Sequence, residues 1–250
     1  MLKQFRADLH IHTCLSPCGD LKMTPQKIVQ QAVNKKLNII AICDHNSTEN
    51  VSAVAKVAEG KNITIISGME VCTKEEIHML ALFENIEAAS EMQAKVYDKL
   101  QGINDPEVFG MQVIGNEFDE VLGFNERLLI GAVDMSIEEV VDRIHKLNGI
   151  AIASHIDRES YSVIGQLGFI PETLKFDALE VSSNISIEEA RKRFSEYENY
   201  QFIQNSDAHF IDDVGKCVTG YQIAEPTIIE IKMALKNENN RRIQNPKPGI

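Results

Sequence analysis

Several features that would place this chain in or across a membrane are missing from its sequence. No stretch of the 250 residues approaches the roughly 18 consecutive apolar residues of a membrane-spanning helix. Residues 1–6 run directly into a candidate site motif, so no signal peptide is expected. The five cysteines, at positions 14, 18, 43, 72 and 217, are an odd number without disulfide-like spacing. These absences predict a soluble, cytoplasmic protein in a reducing compartment, with no membrane partner.

Basic residues are also scarce. The chain has 25 Lys and Arg against 37 Asp and Glu, which gives a net charge of −12. Contacts to the phosphates of a long nucleic acid depend on Lys and Arg, so this balance argues against such a partner, although bound metal ions would neutralise some of the acids. Neither an internal repeat nor a low-complexity tract is present.

Short apolar runs alternate with amphipathic helical segments. Strands are predicted at 37–43, 63–66, 77–83, 150–153, 178–181 and 202–204. One helix is expected to begin at Thr24-Pro25, with an apolar stripe of Ile28, Val29, Ala32 and Val33, and another at the capping box of Ser136 and Glu139. This alternation predicts βαβ units in a parallel sheet or barrel, and a barrel is preferred because it brings every strand's C-terminal end to one face.

The segment from about 84 to 134 breaks this alternation. A helical stretch at 86–100 precedes two short runs, 111–116 and 120–124, that are typical of a hairpin. We interpret the segment as an insertion over the site, within a single domain of residues 1–236, because it is too short for a core of its own. Residues 237–250 are polar and include two prolines, which predicts a frayed C-terminal tail.

Six of the seven histidines lie at or beside the predicted strand ends, and most have a carboxylate nearby. In order, the clusters are Asp8-Leu9-His10-Ile11-His12, Asp44-His45-Asn46, Gly68-Met69-Glu70 with His78, Ser154-His155-Ile156-Asp157, and Ser206-Asp207-Ala208-His209. A single site that is built from several strands and holds more than one divalent metal ion explains them all.

The first cluster shows the pattern best. Side chains alternate along a strand, so Asp8, His10 and His12 share one face, with the two imidazoles about 7 Å apart and able to bind one ion. The alternative is a polar face in contact with solvent. Asp207 and His209 would likewise share a side if their segment is extended.

The other candidates each have an ordinary alternative. Glu70 follows Gly68, which would allow close backbone approach, and a carboxylate can bridge two metals; alone it would be a surface acid. Asp44 beside His45 could equally cap a helix. His145 falls inside the helix that begins after Ser136 and is assigned to the helix surface.

Two residues of the first loop, Cys18 and Asp20, are also possible ligands. A thiolate suits Zn or Fe, whereas a carboxylate suits harder ions. A buried and inert cysteine is the more common case. Cys14, Cys43 and Cys72 are expected to pack in the core or around the site.

The order DLHIHT, CDHN, GME with a later His, SHID and SDAH resembles the PHP (polymerase and histidinol phosphatase) family, from about Arg6 to His209. The resemblance implies a distorted (β/α)7 TIM-like barrel with a helix-plus-hairpin insertion. It also implies a stand-alone phosphoesterase with two or three divalent ions, Zn, Mn or Fe, at the C-terminal ends of the strands.

The resemblance also implies which residues would hold the ions. One ion would take His10, His12, Glu70 and Asp207. A second would share Glu70 and add His78 and His155. A third would take His45, His209 and a ligand from the first loop; relatives have His or Asp there, and this chain offers Cys18, with Asp20 nearby. Asp8 and Asp44 match family acids that would orient the ligand imidazoles, and Asp20 is grouped with them if Cys18 is the ligand.

The function that follows is hydrolysis of a phosphate ester by metal-activated water, with Glu70, Arg158 and Asp207 as catalytic residues. Arg158 would bind a phosphate oxygen, or else would pair with Asp157 or Glu159. The expected substrate is a small phosphorylated molecule such as a nucleotide or histidinol phosphate, with nucleic acid possible but not favoured.

Two other functions stay open. An amidohydrolase would need a bridging Lys and a single terminal Asp, where this chain offers Glu70 and a terminal DAH. A non-catalytic metal-binding regulatory barrel could have lost ligand residues. In this chain nearly every ligand position is filled, which argues against that function. The sequence leaves the oligomeric state open.

Overall fold

The computed structural model describes residues 1–244, which form strands and helices in alternation. The strands are β1 (Lys3–Ile11), β2 (Ile39–Ile42), β3 (Thr64–Cys72), β4 (His78–Phe83), β5 (Val113–Gly115), β6 (Val121–Phe124), β7 (Ile150–Ala153), β8 (Ala178–Val181), β9 (Phe202–Gln204), β10 (Thr219–Ile223) and β11 (Arg242–Gln244). The helices are α1 (Pro25–Asn34), α2 (Val51–Ala58), α3 (Ile86–Lys99), α4 (Ile137–Lys146), α5 (Val163–Leu167), α6 (Ile187–Arg193) and α7 (Ile228–Leu235). All six predicted strands are present.

Nine strands form one sheet in the order β11-β10-β1-β2-β3-β4-β7-β8-β9. The sheet curls until the chain beyond β9 meets β1, where Ile11 and Ala208 form a parallel bridge. Two backbone hydrogen bonds hold this contact, from His12 N to the oxygen of Ala208 at 3.0 Å and from Ala208 N to the oxygen of His10 at 3.2 Å. The architecture is therefore an α/β fold around a curled, barrel-like sheet, as predicted.

Strand β4 departs from the predicted parallel arrangement, because it runs antiparallel to both of its neighbours, β3 and β7. Only residues 73–77 separate β3 from β4. A parallel connection needs a crossover of a dozen or more residues, so this link permits only a hairpin. The reversal places His78, the first residue of β4, next to the C-terminal end of β3, where His78 pairs with Cys72.

The core lies on both faces of the sheet. Strands β2, β4, β7 and β8 are buried along their whole length, as expected for strands covered on both sides. Helix α1 packs with Ile28, Val29 and Ala32, whereas Val33 is exposed, so its place in the predicted apolar stripe was wrong. The capping box of Ser136 and Glu139 at the start of α4 is confirmed.

The predicted helix and hairpin of the insertion are present as α3 and the β5–β6 pair. The hairpin lies against the first loop, because Val113 N donates to the oxygen of Cys14 at 2.9 Å. Asn50 joins the two, donating to Thr13 Oγ1 in the loop at 2.8 Å and to the oxygen of Val113 in the hairpin at 3.0 Å.

The C-terminal segment is more ordered than predicted. Residues 242–244 form β11, which pairs antiparallel with β10, so the expectation of a frayed tail was wrong there. The rest of the predicted tail, 245–250, lies outside the described residues. Among the described helices, none combines the length and the apolar character that crossing a bilayer requires.

Candidate metal centre

The candidate site is centred on the carboxylate of Glu70 in β3, which is only 1% exposed. Imidazole nitrogens surround both of its oxygens. Oε1 lies 3.3 Å from His10 Nε2, 3.3 Å from His78 Nδ1 and 3.4 Å from His155 Nε2. Oε2 lies 3.2 Å from His45 Nδ1 and 3.5 Å from His12 Nε2. The structure thus brings five of the predicted histidines to the one carboxylate that was predicted to bridge two ions.

Asp207 completes the group on the side of β1. Its Oδ1 lies 3.3 Å from Nε2 of both His10 and His12. Its Oδ2 lies 2.7 Å from Nη2 of Arg158. The ring of His209 stacks on that of His12 with centroids 4.1 Å apart, and its Nδ1 donates to the backbone oxygen of Asp207 at 2.9 Å.

Local backbone geometry explains how short loops direct these side chains inward. His10 and His12 alternate with buried Leu9 and Ile11 on β1, as predicted. His155 and Asp207 follow β7 and β9 with φ angles of 29° and 50°, which non-glycine residues rarely adopt. Such strain is typically concentrated at functional sites.

Burial and neighbouring charges shift the pKa values of the residues in the cluster in different directions. Burial opposes ionisation of Glu70 and Asp207, yet the histidines, with His78 first for Glu70 and His10 first for Asp207, hold both pKa values well below the ordinary range. Burial likewise opposes charge on His10 and His78. The carboxylates prevail, with Glu180 first for His10, whose pKa is raised well above normal, and Glu70 raises the pKa of His78 to about 10. Glu70 and Asp207 are therefore anionic, which is the form in which a carboxylate binds a metal.

Two histidines of the cluster, His12 and His45, are neutral. Burial, reinforced by the neighbouring His209, lowers the pKa of His12 to about 4. Burial and the nearby His12 lower the pKa of His45 well below the usual value for histidine. Neutral imidazoles keep a lone pair, and that is the form in which histidine binds a metal.

The donor set fits divalent metal ions. Glu70 Oε1, His45 Nδ1 and His155 Nδ1 are buried without a hydrogen-bond partner, which is costly unless something else satisfies them. Three groups bring their ligand atoms within 4.8 Å of one another: His10, His12 and Glu70; His45, Glu70 and His78; and His12, His45 and His209. Imidazole and carboxylate together suit Zn, Fe or Mn.

The two first-loop candidates are not in these groups. Among the residues that the structure describes, neither Cys18 nor Asp20 joins a group of three ligand atoms. Cys18 is exposed, and Asp20 Oδ1 accepts from the backbone N–H of Lys22 at 2.7 Å. Asp20 also donates its own N–H to the backbone oxygen of His209 at 2.9 Å. Cys14, Cys43 and Cys72 are buried, as expected.

Glu180 of β8 is a residue that the sequence analysis missed. Its two oxygens lie 3.0 and 3.1 Å from His10 Nδ1, so the ring donates to the carboxylate and directs Nε2 into the cluster. Asn205 supports it by donating to Glu180 at 2.9 Å and accepting from Leu9 N at 2.8 Å. The sequence does contain a feature that could have identified Glu180: it is the one acidic residue in a strand that is otherwise apolar and buried. Acidic side chains without a partner are rare in such positions.

The acids that were predicted to orient imidazoles act differently. Within residues 1–244, Asp8 forms no hydrogen bond with a histidine; it accepts from the backbone N–H of Ser206 and Gly215 at 3.0 and 2.9 Å. Asp44 accepts from Ser16 Oγ at 2.7 Å, and that hydroxyl lies 2.9 Å from His12 Nδ1. Asp8 therefore fixes backbone, and Asp44 reaches an imidazole only through Ser16.

One further expectation needs correction. Arg158 pairs with Asp207, and not with Asp157 or Glu159; Asp157 instead accepts from Ser182 Oγ and N at 2.6 and 2.7 Å. His145 lies on α4 with its side chain 33% exposed, as expected for the helix surface, and it contacts Asp177 at 3.0 Å.

Comparisons with known proteins identify related sequences and related folds. The PHP domain pattern matches residues 8–122, and the PHP-associated pattern matches residues 188–240. A 5′-3′ exoribonuclease of Haemophilus influenzae is 25% identical over 188 residues, which span 59% of this chain and 68% of that protein.

Two solved structures share the fold at lower identity. A lesion-specific endonuclease of Pyrococcus furiosus superposes with a TM-score of 0.76 and 20% identity, over 96% of this chain. This chain spans only 58% of the length of that endonuclease. An amidohydrolase of Chromobacterium violaceum gives a TM-score of 0.57 and 19% identity, over 97% of this chain and 98% of that one.

These matches and the cluster of ligand residues define the class of the protein: it is a metal-dependent phosphoesterase, a kind of hydrolase. Within that class, the chain belongs to the PHP domain family.

Proposed function

We propose that this chain hydrolyses a phosphoester of a nucleotide or of a short, single-stranded nucleic acid, with divalent metal ions held by the cluster around Glu70. The observation that carries the proposal is the buried carboxylate of Glu70 between five imidazoles, with one oxygen lacking any hydrogen bond. Divalent ions there would lower the pKa of a bound water toward 7 and neutralise phosphate charge.

The ligands are assigned to two sets and a partial third. His10, His12, Glu70 and Asp207 would hold one ion, while Glu70, His78 and His155 would hold a second. His45 and His209 would contribute to a third; the described ligand atoms of these two residues and of His12 lie within 4.8 Å of one another. Seven barrel strands, a cytoplasmic location, the choice among Zn, Mn and Fe, and the single domain of residues 1–236 stay predictions.

The chain's own residues supply binding and orientation. Glu180 keeps the proton of His10 on Nδ1, so that Nε2 faces the cluster. Arg158, whose side chain is 41% exposed, lies at the mouth of the site and pairs with Asp207. Its guanidinium has further N–H groups that can bind a non-bridging phosphate oxygen.

Two considerations support this choice of substrate class. The curated relative is named an exoribonuclease, which favours a nucleic-acid end over histidinol phosphate. The net charge of −12 disfavours a long polyanion, whose binding needs many Lys and Arg contacts. A nucleotide or a short single strand meets both conditions. A small phosphorylated metabolite is the second candidate, which the charge alone favours.

A substrate panel tests the proposal. Protein reconstituted with Zn, Mn or Fe would be assayed on bis(p-nitrophenyl) phosphate, a 5′-phosphorylated pentaribonucleotide, histidinol phosphate and an N-acyl amide. Hydrolysis of the pentaribonucleotide is expected to have the highest kcat/KM. Preference for histidinol phosphate would reject the nucleic-acid assignment, turnover of the amide alone would favour an amidohydrolase, and no turnover would favour a regulatory barrel.

Substitution of the bridging acid makes the test specific. Glu70→Gln should lower kcat/KM by at least on the order of 10²-fold, because two ions depend on that carboxylate. Glu59→Gln, at an exposed position after α2, is the matched control and should change nothing. Equal activity of the two variants would remove Glu70 from the site.

A further inference from the structure

Tyr161 has an unusual combination of backbone and side-chain properties. Its φ angle is 57°, in the left-handed region that a bulky side chain rarely adopts. Its residue surface is nevertheless 43% exposed, so burial of the ring does not account for the choice of residue. Glycine or asparagine would fit this backbone with less strain. A strained and exposed aromatic residue beside an active site calls for a functional explanation.

The ring is fixed directly beside the candidate metal centre. It stacks on the imidazole of His78, with centroids 4.6 Å apart and planes inclined by 23°. His78 in turn contacts Glu70 at 3.3 Å. One face of Tyr161 is therefore occupied by a predicted metal ligand, while the residue as a whole stays exposed.

The loop that carries Tyr161 is held rigidly. The backbone oxygen of Tyr161 accepts from His78 N at 2.9 Å. Ser162 Oγ donates to the oxygen of Arg158 at 2.5 Å, and Arg158 N donates to the oxygen of His155 at 3.0 Å. A predicted ligand, the candidate phosphate-binding arginine and the exposed ring thus follow one another on a single preorganised loop.

We infer that Tyr161 is a substrate-positioning residue that stacks on the nucleobase next to the hydrolysed phosphate; this inference rests on the proposed function. A planar side chain that is already immobilised loses little entropy when a base stacks on it. Arg158 on the same loop would bind the phosphate, so a single loop would recognise both the base and the phosphate. Stacking accepts any base, and it therefore gives preference for nucleotides without sequence specificity.

The test compares two pentaribonucleotides that differ only at the 5′ residue, which carries a base in one and is abasic in the other. Wild type should have a lower KM for the base-bearing substrate. Tyr161→Ala should raise that KM roughly 5- to 150-fold, the equivalent of losing one aromatic–base stack, and should leave the KM for the abasic substrate unchanged. Tyr161→Phe should keep the preference, because it keeps the ring.

Two controls separate this role from a structural one. Tyr161→Asn should keep or raise Tm, because asparagine tolerates the left-handed backbone, and metal content should match wild type. Phe169→Ala removes another exposed aromatic side chain and should leave both KM values unchanged.

The inference is overturned if Tyr161→Ala impairs both substrates equally, or if it lowers metal content, since the ring would then only support His78. It is also overturned if wild type hydrolyses both substrates with equal KM. Failure of the proposed function gives a different result, namely that wild type hydrolyses neither oligonucleotide whatever the variant.

Discussion

At the scale of single residues, hydrogen bonds to Nδ1 of the proposed ligand imidazoles fix the orientation of their rings. Glu180 contacts His10 from the side opposite to Glu70, and Ser16 does the same for His12. Each contact engages Nδ1 and leaves Nε2 for the centre of the site. Such supporting contacts raise the basicity of a ligand imidazole and fix its orientation.

Glu180→Gln is expected to lower metal affinity by about 10- to 100-fold, because the neutral amide no longer requires His10 to keep its proton on Nδ1. The affinity would be measured by titrating metal-free protein with Zn or Mn. Glu188→Gln, exposed on α6, is the control. Unchanged affinity in Glu180→Gln would mean that the contact is only structural.

The two first-loop candidates give opposite predictions for metal stoichiometry. If Cys18 completes a third site, Cys18→Ala lowers metal content and Cys18→Asp shifts the preference from Zn or Fe toward Mn. If Asp20 is the ligand, only Asp20→Ala lowers it. If neither side chain is a ligand, as their absence from the described groups of ligand atoms indicates, neither alanine variant changes the stoichiometry. Elemental analysis of the two alanine variants decides among the three outcomes.

At the scale of secondary structure, the β3–β4 hairpin positions both Glu70 and His78. It can do so because Gly68 allows close packing, as its sequence position indicated. A Cβ atom there would lie 2.8 Å from Leu82 Cδ2 and 3.1 Å from both the oxygen of Ala81 and Cys43 Sγ.

Gly68→Ala should therefore destabilise the protein by about 1–3 kcal/mol, the usual cost of overpacking, and weaken metal binding by displacing Glu70. Thermal unfolding and metal titration would measure the two effects. Gly123→Ala is a matched control, because a Cβ at Gly123 meets nothing within 4 Å. Equal stability of the two variants would contradict this account of the hairpin.

The elements also show what the sequence could reveal. Periodicity placed β2, β3, β4, β7, β8 and β9, and capping residues placed α4, because both signals are local. The buried strand β10 was not predicted. The direction of β4 was missed although the five-residue link at 73–77 indicated it. Glu180 and the true partner of Arg158 were missed because they depend on which strands become neighbours, which is information that no local window contains. The strand β11 was hidden by polar residues that pair at a sheet edge.

At the scale of the whole molecule, metal binding should contribute to folding stability. An ion that binds only the folded chain stabilises it by about 2.7 kcal/mol when its free concentration is 100 times Kd. For a chain of this size each kcal/mol raises Tm by roughly 2–4 °C. We therefore expect Zn or Mn to raise Tm by several degrees and EDTA to reverse the change. Glu70→Gln should respond much less; an identical response would place the bound ion elsewhere.

The contact between Ile11 and Ala208 has a further consequence, for the order of folding. It joins positions separated by nearly the whole barrel, so its loop-closure entropy is among the largest in the chain, and contacts of this kind form slowly. His10 and Asp207 lie on its two sides. By the proposed ligand sets, a ribosome-bound chain that still lacks β9 and the residues after it would lack Asp207 and His209. We therefore expect the metal centre to be complete only once the barrel has closed.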